Sequence, residues 1–148
     1  MSMTDQQENA TLSMYFENAA DTHWGSGFGA TSTAGSVHIA LHTSSPGDSA
    51  TAQTTNEAAY TGYSTSGRQA VARSTAGWTV ASGTVSNDAA ITFSQCTTGS
   101  ETETHFSIGE DQSGTGYMQI WGALTTPLSV SSGVTPQFAI SALQVSLD

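Results

Sequence analysis

Basic side chains are almost absent from this sequence. It has no lysine, and its only arginines are Arg68 and Arg73, against twelve acidic residues and a formal net charge of -10 at pH 7. Without lysine there is no Schiff-base nucleophile and no P-loop. Two arginines cannot neutralise a run of nucleic-acid phosphates, and the negative charge repels both DNA and anionic lipid. We therefore expect no nucleic-acid partner and no membrane partner.

Cysteine and long apolar runs are also scarce. Cys96 is the only cysteine, so the chain has no intrachain disulfide, and we expect Cys96 to be a buried structural thiol. No apolar stretch approaches the ~20 residues of a membrane helix. The N-terminus lacks the basic region and apolar run of a secretory signal. Instead the chain has 22 serines and 23 threonines, which we interpret as the surface polar groups of an ordered domain.

A helix is predicted near the N-terminus. Thr4 and Gln7 fit a capping box, and apolar residues at helical spacing follow them. A glycine-rich segment, GSGFGATSTAG, then breaks the pattern. We therefore divide the chain into a helix or arm with its linker, residues 1–35, and a β domain, residues 36–148. The narrow apolar stripe docks either on its own domain or on a neighbouring copy. The candidate interface residues are Leu12, Tyr15, Phe16 and Trp24.

From residue 37 the apolar period changes from helical spacing to two. Val37, Ile39 and Leu41 alternate, and short alternating runs follow a long loop, SSPGDSATAQTTNEAAYTGYSTSG. No helix-length segment separates these runs, which favours antiparallel strands over βαβ units. We predict a mostly β fold, an antiparallel β-sandwich of eight or nine strands that is jelly-roll-like. After the first strand, VHIALHT, the predicted strands are RQAVAR, GWTVA, DAAITFSQ, ETHFSIG, YMQIWGAL, LSVSS, PQFAISA and ALQVSLD, with hairpins at residues 113–116 and 131–133.

Histidines and carboxylates supply the candidate chemistry. His38 and His42 form H-x3-H, but on a strand this spacing spans ~13 Å, so we expect surface or interface histidines rather than metal ligands. Glu101 and Glu103 share a strand face before His105, an arrangement that acid–base catalysis uses. They lie in a polar loop, TTGSETETH, so we expect a solvated acidic edge.

Other site patterns are weak. The turn that holds residues 110 and 111 has two carboxylates but lacks the spacing of a calcium loop. No serine occurs in G-x-S-x-G. We therefore expect no catalytic residues, no metal and no cofactor, and hence no enzyme. Each arginine is expected to have a structural carboxylate partner, within the chain or across an interface. The aromatics expected in the core or an interface, with exposed sugar platforms as the alternative, are Trp78, Trp121, Tyr117 and Phe138.

The order of several short segments resembles a family of small phage virion proteins. These segments are ALHTSSPGD at 40–48, NEAAYTGYSTSGRQAV at 56–71, VSNDAAITF at 85–93, THFSIGED at 104–111, WGALTTPLSV at 121–130 and ALQVSLD at 142–148. Members resemble tail-fibre proteins, and related small jelly rolls serve as capsid decoration or cement proteins.

The resemblance implies a structural role in a virion. We expect a decoration protein that binds the major capsid protein on the outer surface of the head, assembles as a homotrimer, and is made in the host cytoplasm. The alternative is a tail-fibre or receptor-binding domain that recognises a host glycan. Gene neighbourhood and copy number per particle separate the two roles.

Overall fold

The N-terminal helix begins where its capping sequence predicts. The computed structural model describes residues 3–21, 30–63 and 67–147. Helix α1 (Asp5–Phe16) has Thr4 as its N-cap, and the Thr4 hydroxyl accepts a hydrogen bond from the Gln7 amide at 3.4 Å. The helix is closed by Asn18, whose φ of 55° is left-handed, and the Ala19 amide donates back to a carbonyl of the last turn.

The rest of the described chain is mostly β. Neighbouring strands pair in antiparallel ladders, so the predicted class, an antiparallel β-sandwich fold with a short N-terminal helix, is confirmed. No helix in these residues is both long and apolar enough to cross a membrane. The nine strands of the described residues are β1 (Ser36–His42), β2 (Gln69–Ala72), β3 (Trp78–Ala81), β4 (Thr84–Asn87), β5 (Ile91–Thr92), β6 (Ser100–Gly109), β7 (Met118–Ser131), β8 (Gln137–Phe138) and β9 (Gln144–Ser146).

The strands form three sheets, and the chain divides into two compact units. The sheet orders are β2-β1-β6-β7, β3-β4-β9 and β5-β8. Unit 1 comprises Met1–Ser36, Val71–Ile91 and Phe138–Asp148, and unit 2 comprises Val37–Ala70 and Thr92–Gln137. Each unit is therefore assembled from segments that are far apart in the sequence.

In unit 1, α1 packs on β3 and β4. Leu12 and Phe16 are 2% and 1% exposed, and the Phe16 ring meets the Trp78 ring edge-on with centroids 4.8 Å apart. The opposite side of the stripe is open, since Tyr15 is 45% exposed. The sequence left two docking surfaces open for the stripe, its own domain or a neighbouring copy. Leu12 and Phe16 pack within unit 1 of the same chain.

Arg73 holds the end of this helix. Its guanidinium donates to the carbonyls of Met14, Tyr15 and Ala34, at 2.7, 2.6 and 3.2 Å. The last carbonyls of a helix have no partner inside the helix, and α1 has no basic residue in its own last turn. A cation from elsewhere in unit 1 therefore adds to the local C-cap, by binding the carbonyls of Met14 and Tyr15. In the described residues Arg73 binds these main-chain oxygens, and a carboxylate partner across an interface stays a prediction.

A tight hairpin joins β3 to β4. Ser82 and Gly83 both have positive φ, 51° and 70°, which is the backbone of a type I′ turn. The Gly83 amide donates to the Asn9 side chain at 2.8 Å, so the turn also binds α1. The sequence prediction missed this hairpin because Ser-Gly is a weaker turn signal than Asn-Gly.

In unit 2, the long loop after β1 contributes to the core. Tyr60 and Tyr63 are each 3% exposed, and Tyr63 stacks on Phe93 with ring centroids 6.0 Å apart. Ile39 and Ile108 pair across β1 and β6 and are 0% exposed. The loop therefore covers apolar surface that a solvated linker would leave open.

The β6–β7 hairpin confirms the predicted turn at residues 113–116, but its second strand differs from prediction. The two predicted strands YMQIWGAL and LSVSS are a single strand, β7. The register jumps from Glu103↔Leu128 to His105↔Ala123, so residues 124–127 bulge out opposite Thr104. The predicted hairpin at 131–133 is wrong: β8, the next strand, pairs with β5 instead of β7.

Truncating the buried side of the helix stripe should be far more damaging than truncating its exposed side. We expect Phe16→Ala to lower the free energy of unfolding by roughly 3–5 kcal/mol, because it leaves a cavity against Trp78. Tyr15→Ala, one residue earlier, should cost less than about 1 kcal/mol. Urea unfolding followed by circular dichroism measures both. Equal losses would show that α1 is not docked through this face in solution.

Candidate functional site

A buried ion pair lies at the centre of unit 2. Arg68, at the start of β2, is 1% exposed and binds Glu57 of the long loop through two parallel contacts, Nε–Oε1 and Nη2–Oε2, both 2.8 Å. Its remaining donors bind the carbonyls of Asp111 and Gly114 in the β6–β7 turn, at 2.9 and 2.8 Å. The prediction of a carboxylate partner for Arg68 is confirmed. One guanidinium thus joins a loop, a strand and a hairpin turn.

Two further contacts complete this ion pair. The Tyr63 hydroxyl donates to Glu57 Oε1 at 2.8 Å and accepts from the Leu41 amide at 3.3 Å. Burial, and then the nearby Glu57 carboxylate, raise the pKa of Tyr63, so the hydroxyl keeps its proton. Gly116, with φ of +56°, lies directly against the guanidinium, where a Cβ would collide with it. The turn glycine is therefore needed for both its backbone angle and its lack of a side chain.

His42 is a core residue, which corrects the prediction of a surface or interface position. Its side chain is 0% exposed, and its Nδ1 lies 2.9 Å from the Thr55 carbonyl. Burial lowers the pKa of His42, so the ring is neutral and Nδ1 is the nitrogen that donates. Nε2 then accepts from the Ser107 hydroxyl at 2.8 Å. His38, on the same strand, is partly exposed, and its Nδ1 lies 2.7 Å from the Glu110 carbonyl.

The Ser107–His42 contact has the geometry of a nucleophile and its base, but it lacks the solvent access and the orienting carboxylate of a catalytic pair. Both side chains are 0% exposed, and a main-chain carbonyl occupies the place of the orienting carboxylate. The Ser107 hydroxyl also accepts from Gln53, whose amide donates to it at 3.2 Å. A substrate carbonyl has no approach to this hydroxyl, so the contact joins β1, β6 and the loop structurally.

Glu101 and Glu103 are not the predicted solvated edge. Glu103 is 0% exposed, and the described residues donate no hydrogen bond to either of its carboxyl oxygens. Burial, and then Glu101, raise the pKa of Glu103 to about 8. Glu101 Oε1 accepts from the amides of Ala59 and Tyr60, both at 2.9 Å. A neutral Glu103 can donate to Glu101, whereas an ionised one has no donor to accept from.

The remaining candidates do not assemble into a ligand site in the described residues. Glu110 and Asp111 are exposed; Glu110 accepts from Gln119 at 3.3 Å. Nowhere in 3–21, 30–63 or 67–147 do three His, Cys, Asp or Glu side chains come together to hold a metal. Cys96 is buried, as predicted.

The predicted interface and aromatic residues are dispersed. Leu12 and Phe16 are buried, Tyr15 is exposed, and Trp24 lies outside the described residues. The interface assignment stays a prediction, and Tyr15 is its member on the described surface. The aromatic candidates differ in exposure: Trp78 is buried, Phe138 and Trp121 are partly exposed, and Tyr117 is 55% exposed. The Trp121 Nε1 donates to Asp48 at 3.2 Å.

Half of the buried polar residues in the described chain lie in the segments that carry the phage resemblance. ALHT contains His42, RQAV begins with Arg68, VSN contains Asn87, and THFSIG contains Ser107. NEAAY adds Glu57, the partly exposed partner of Arg68. These motifs therefore supply much of a buried polar network. Gln53 had no such signal, because nothing in TAQTT distinguishes a buried amide from a solvated one.

The family assignment agrees with this pattern. A family model described as "Podophage GP4 fiber I protein gp80" matches residues 2–146. The chain belongs to this family. No curated protein matches it. The expected resemblance to small phage virion proteins is confirmed, and the chain is a bacteriophage virion structural protein with a β fold. Its location is accordingly the virion.

Replacing Arg68 should lower the free energy of unfolding more than replacing Arg73. We expect Arg68→Met to cost roughly 3–5 kcal/mol, because it leaves Glu57 without its cation and two turn carbonyls without donors. Arg73→Met changes the net charge equally and should cost less, since its carbonyl acceptors are nearer to solvent. The double variant Arg68→Met/Glu57→Met should recover part of the loss. Denaturant unfolding measures all three, and equal costs for the two single variants would contradict a central role for Arg68.

Proposed function

We propose that this protein is a non-enzymatic structural component of a podophage fibre. The observation that carries the proposal is the family match, which spans residues 2–146 rather than one motif. The family's printed description names a fiber protein, and the β-rich fold with its buried polar core suits a rigid virion part.

A structural role also fits the placement of the candidate catalytic groups. The His42–Ser107 contact is fully buried, and Glu103 has no exposed surface. A group that acts on a substrate must be reachable by it, and these groups are reachable only if the core opens. The resemblance of His42 and Ser107 to catalytic groups is explained by their hydrogen bonds inside the protein.

Capsid decoration is the competing assignment. If the N-terminal apolar stripe, which holds the candidate interface residues, anchored the protein to a capsid, its apolar side chains would have to be exposed. Leu12 and Phe16 are buried in unit 1, and Arg73 further ties the helix end to unit 1. Only Tyr15 of the described stripe remains exposed for a partner.

The proposed partners are other fibre or tail proteins and further copies of this chain. We retain the homotrimer as part of the proposal, because an extended virion part needs repeated subunit contacts. A host glycan belongs to the proposal only as a surface that the assembled fibre would meet. Light scattering of the full-length protein should give the mass of a trimer. A monomer at micromolar concentration would contradict self-assembly in the absence of other virion proteins.

Location and copy number in the particle test the fibre assignment. Immunogold labelling of purified virions should place the protein on the tail or its fibres, and quantitative mass spectrometry should find few copies per particle. Labelling spread over the head, with hundreds of copies, would overturn the fibre proposal and support decoration. A variant that lacks residues 1–24, added to undecorated heads beside the full-length protein, separates the roles further: a fibre component binds heads in neither form.

A further inference from the structure

Inside unit 2, a carboxyl group is buried without a charge partner. Glu103 lies on β6 immediately before the bulge of β7, and its side chain is 0% exposed. Neither carboxyl oxygen receives a hydrogen bond from the described residues. An ionised carboxylate in this place would have neither water nor a donor, which is a costly state for a buried polar group.

Glu101 is the group that a proton on Glu103 can reach. The two side chains lie two residues apart on one strand, so they share a face. Glu101 Oε1 is already the acceptor for the amides of Ala59 and Tyr60. Two ionised carboxylates repel and cannot bond each other, but one shared proton satisfies Glu103 and leaves Glu101 free to hold both amides.

We propose that Glu101 and Glu103 form a proton-operated clasp, which holds residues 58–63 on β6 while Glu103 is protonated and loosens when the proton leaves. The segment that the clasp holds contributes the rings of Tyr60 and Tyr63 to the core. Loosening it would expose both rings and weaken the Tyr63–Glu57 contact beside Arg68. The proton on Glu103 therefore controls how firmly residues 58–63 pack on β6, and with them the Tyr63–Glu57 hydrogen bond.

Glu101 is the group that acts on the pKa of Glu103, after burial itself. On its own strand the neighbours are Glu101 and His105, whose Nδ1 lies 2.8 Å from the Thr104 hydroxyl, and β7 presents Leu128 and Val130 opposite the two glutamates. From the loop, Tyr60 donates its hydroxyl to the Ser94 carbonyl at 3.0 Å. Burial, and then Glu103, raise the pKa of Tyr60, so this hydroxyl keeps its proton through the neutral range. The Cys96 thiol, which also faces Tyr60, is buried and donates towards main-chain carbonyls.

The direction of the pH effect follows from proton linkage. Burial and Glu101 raise the pKa of Glu103 from 4.5 to about 8 in the closed clasp. In the open state the side chain is solvated and has its ordinary pKa. The closed state binds more protons between these two values, so it loses stability relative to the open state as the pH rises from about 5 to about 8. Above that range both states are ionised, and the loss levels off.

A metal ion is the other occupant that could neutralise two carboxylates. Hard cations such as calcium take six to eight oxygen ligands. The described residues place no third His, Cys, Asp or Glu with this pair in a metal-holding group. The proton therefore fits the pair better than a cation does.

Amide exchange of the full-length protein, measured by NMR as a function of pH, tests the clasp. After correction for intrinsic exchange, the protection of the Ala59 and Tyr60 amides should fall between pH 5 and 8, by up to roughly tenfold per pH unit, and then level off. The Ile108 amide, on the same strand but remote from the clasp, should stay protected. In Glu103→Gln the side-chain amide donates to Glu101 without titrating, so the profile should be flat.

Two control variants isolate Glu103. Glu110→Gln makes the same chemical change at an exposed glutamate of the same hairpin and should retain the wild-type profile. Cys96→Ala should retain it as well, which separates the carboxyl from the thiol. Parallel profiles in the wild type and Glu103→Gln would overturn the proposal.

A second measurement requires no substitution, so it decides the matter even if Glu103→Gln fails to fold. The ¹³C shift of the Glu103 carboxyl should titrate well above the ordinary glutamate range in the wild-type protein. Titration near 4.5 would overturn the clasp. Calcium added at pH 7.5 should leave the protection of Ala59 and Tyr60 unchanged. A calcium-dependent rise in that protection would show that the pair holds a cation rather than a proton.

Discussion

The structure of unit 2 depends on where the chain places one of its two arginines. Arg68 is buried, and its guanidinium makes four hydrogen bonds, two to the Glu57 carboxylate and two to carbonyls of the β6–β7 turn. A buried guanidinium is tolerated only when its charge is paired and its N–H groups are bonded. Those requirements bring the long loop, β2 and the hairpin turn to one point. The rest of the polar core, from Tyr63 to Ser107, is arranged around that position.

Scarcity of charge changes how the other polar groups are satisfied. Side-chain amides and hydroxyls make contacts between segments that salt bridges make in proteins with more charge. Asn87, 0% exposed, donates to the carbonyls of Ala89 and Ala139 and accepts from the Leu143 amide, which ties β4 to the C-terminal segment. Asn18 and Thr31 exchange three hydrogen bonds beside the end of α1. Such bonds are short-ranged and unaffected by salt screening, so they fix loops without attracting counter-charges.

The same scarcity gives the carboxyl pair on β6 its character. With both arginines committed elsewhere, no cation lies at hand for Glu103, and a proton is the remaining way to neutralise it. A protein with a surplus of lysine would pair such a glutamate with a surface cation. Here Leu128 of β7 lies opposite Glu103, and Tyr60 is near enough for Glu103 to raise its pKa. The family assignment to a virion fiber protein and the proposed clasp are independent, since the clasp depends on the contacts of unit 2 alone.

The class of the fold, the position of the helix and the resemblance to a phage family could be predicted from the amino-acid sequence. Periodicity and turn chemistry are local properties, so the sequence alone predicts elements that depend on them. These are the capping box at Thr4, the alternating strand at residues 37–41 and the Ser-Gly-Thr-Gly hairpin. The expectation of no nucleic-acid or membrane partner rests on composition alone. Which polar side chains are buried is apparent only in the folded protein. His42 was expected at a surface or an interface, and Glu103 on a solvated edge. The long loop after β1 contacts His42 through Thr55 and the neighbouring Glu101 through Tyr60, and this packing comes from elsewhere in the chain. Burial is a property of long-range packing, and no local pattern encodes it.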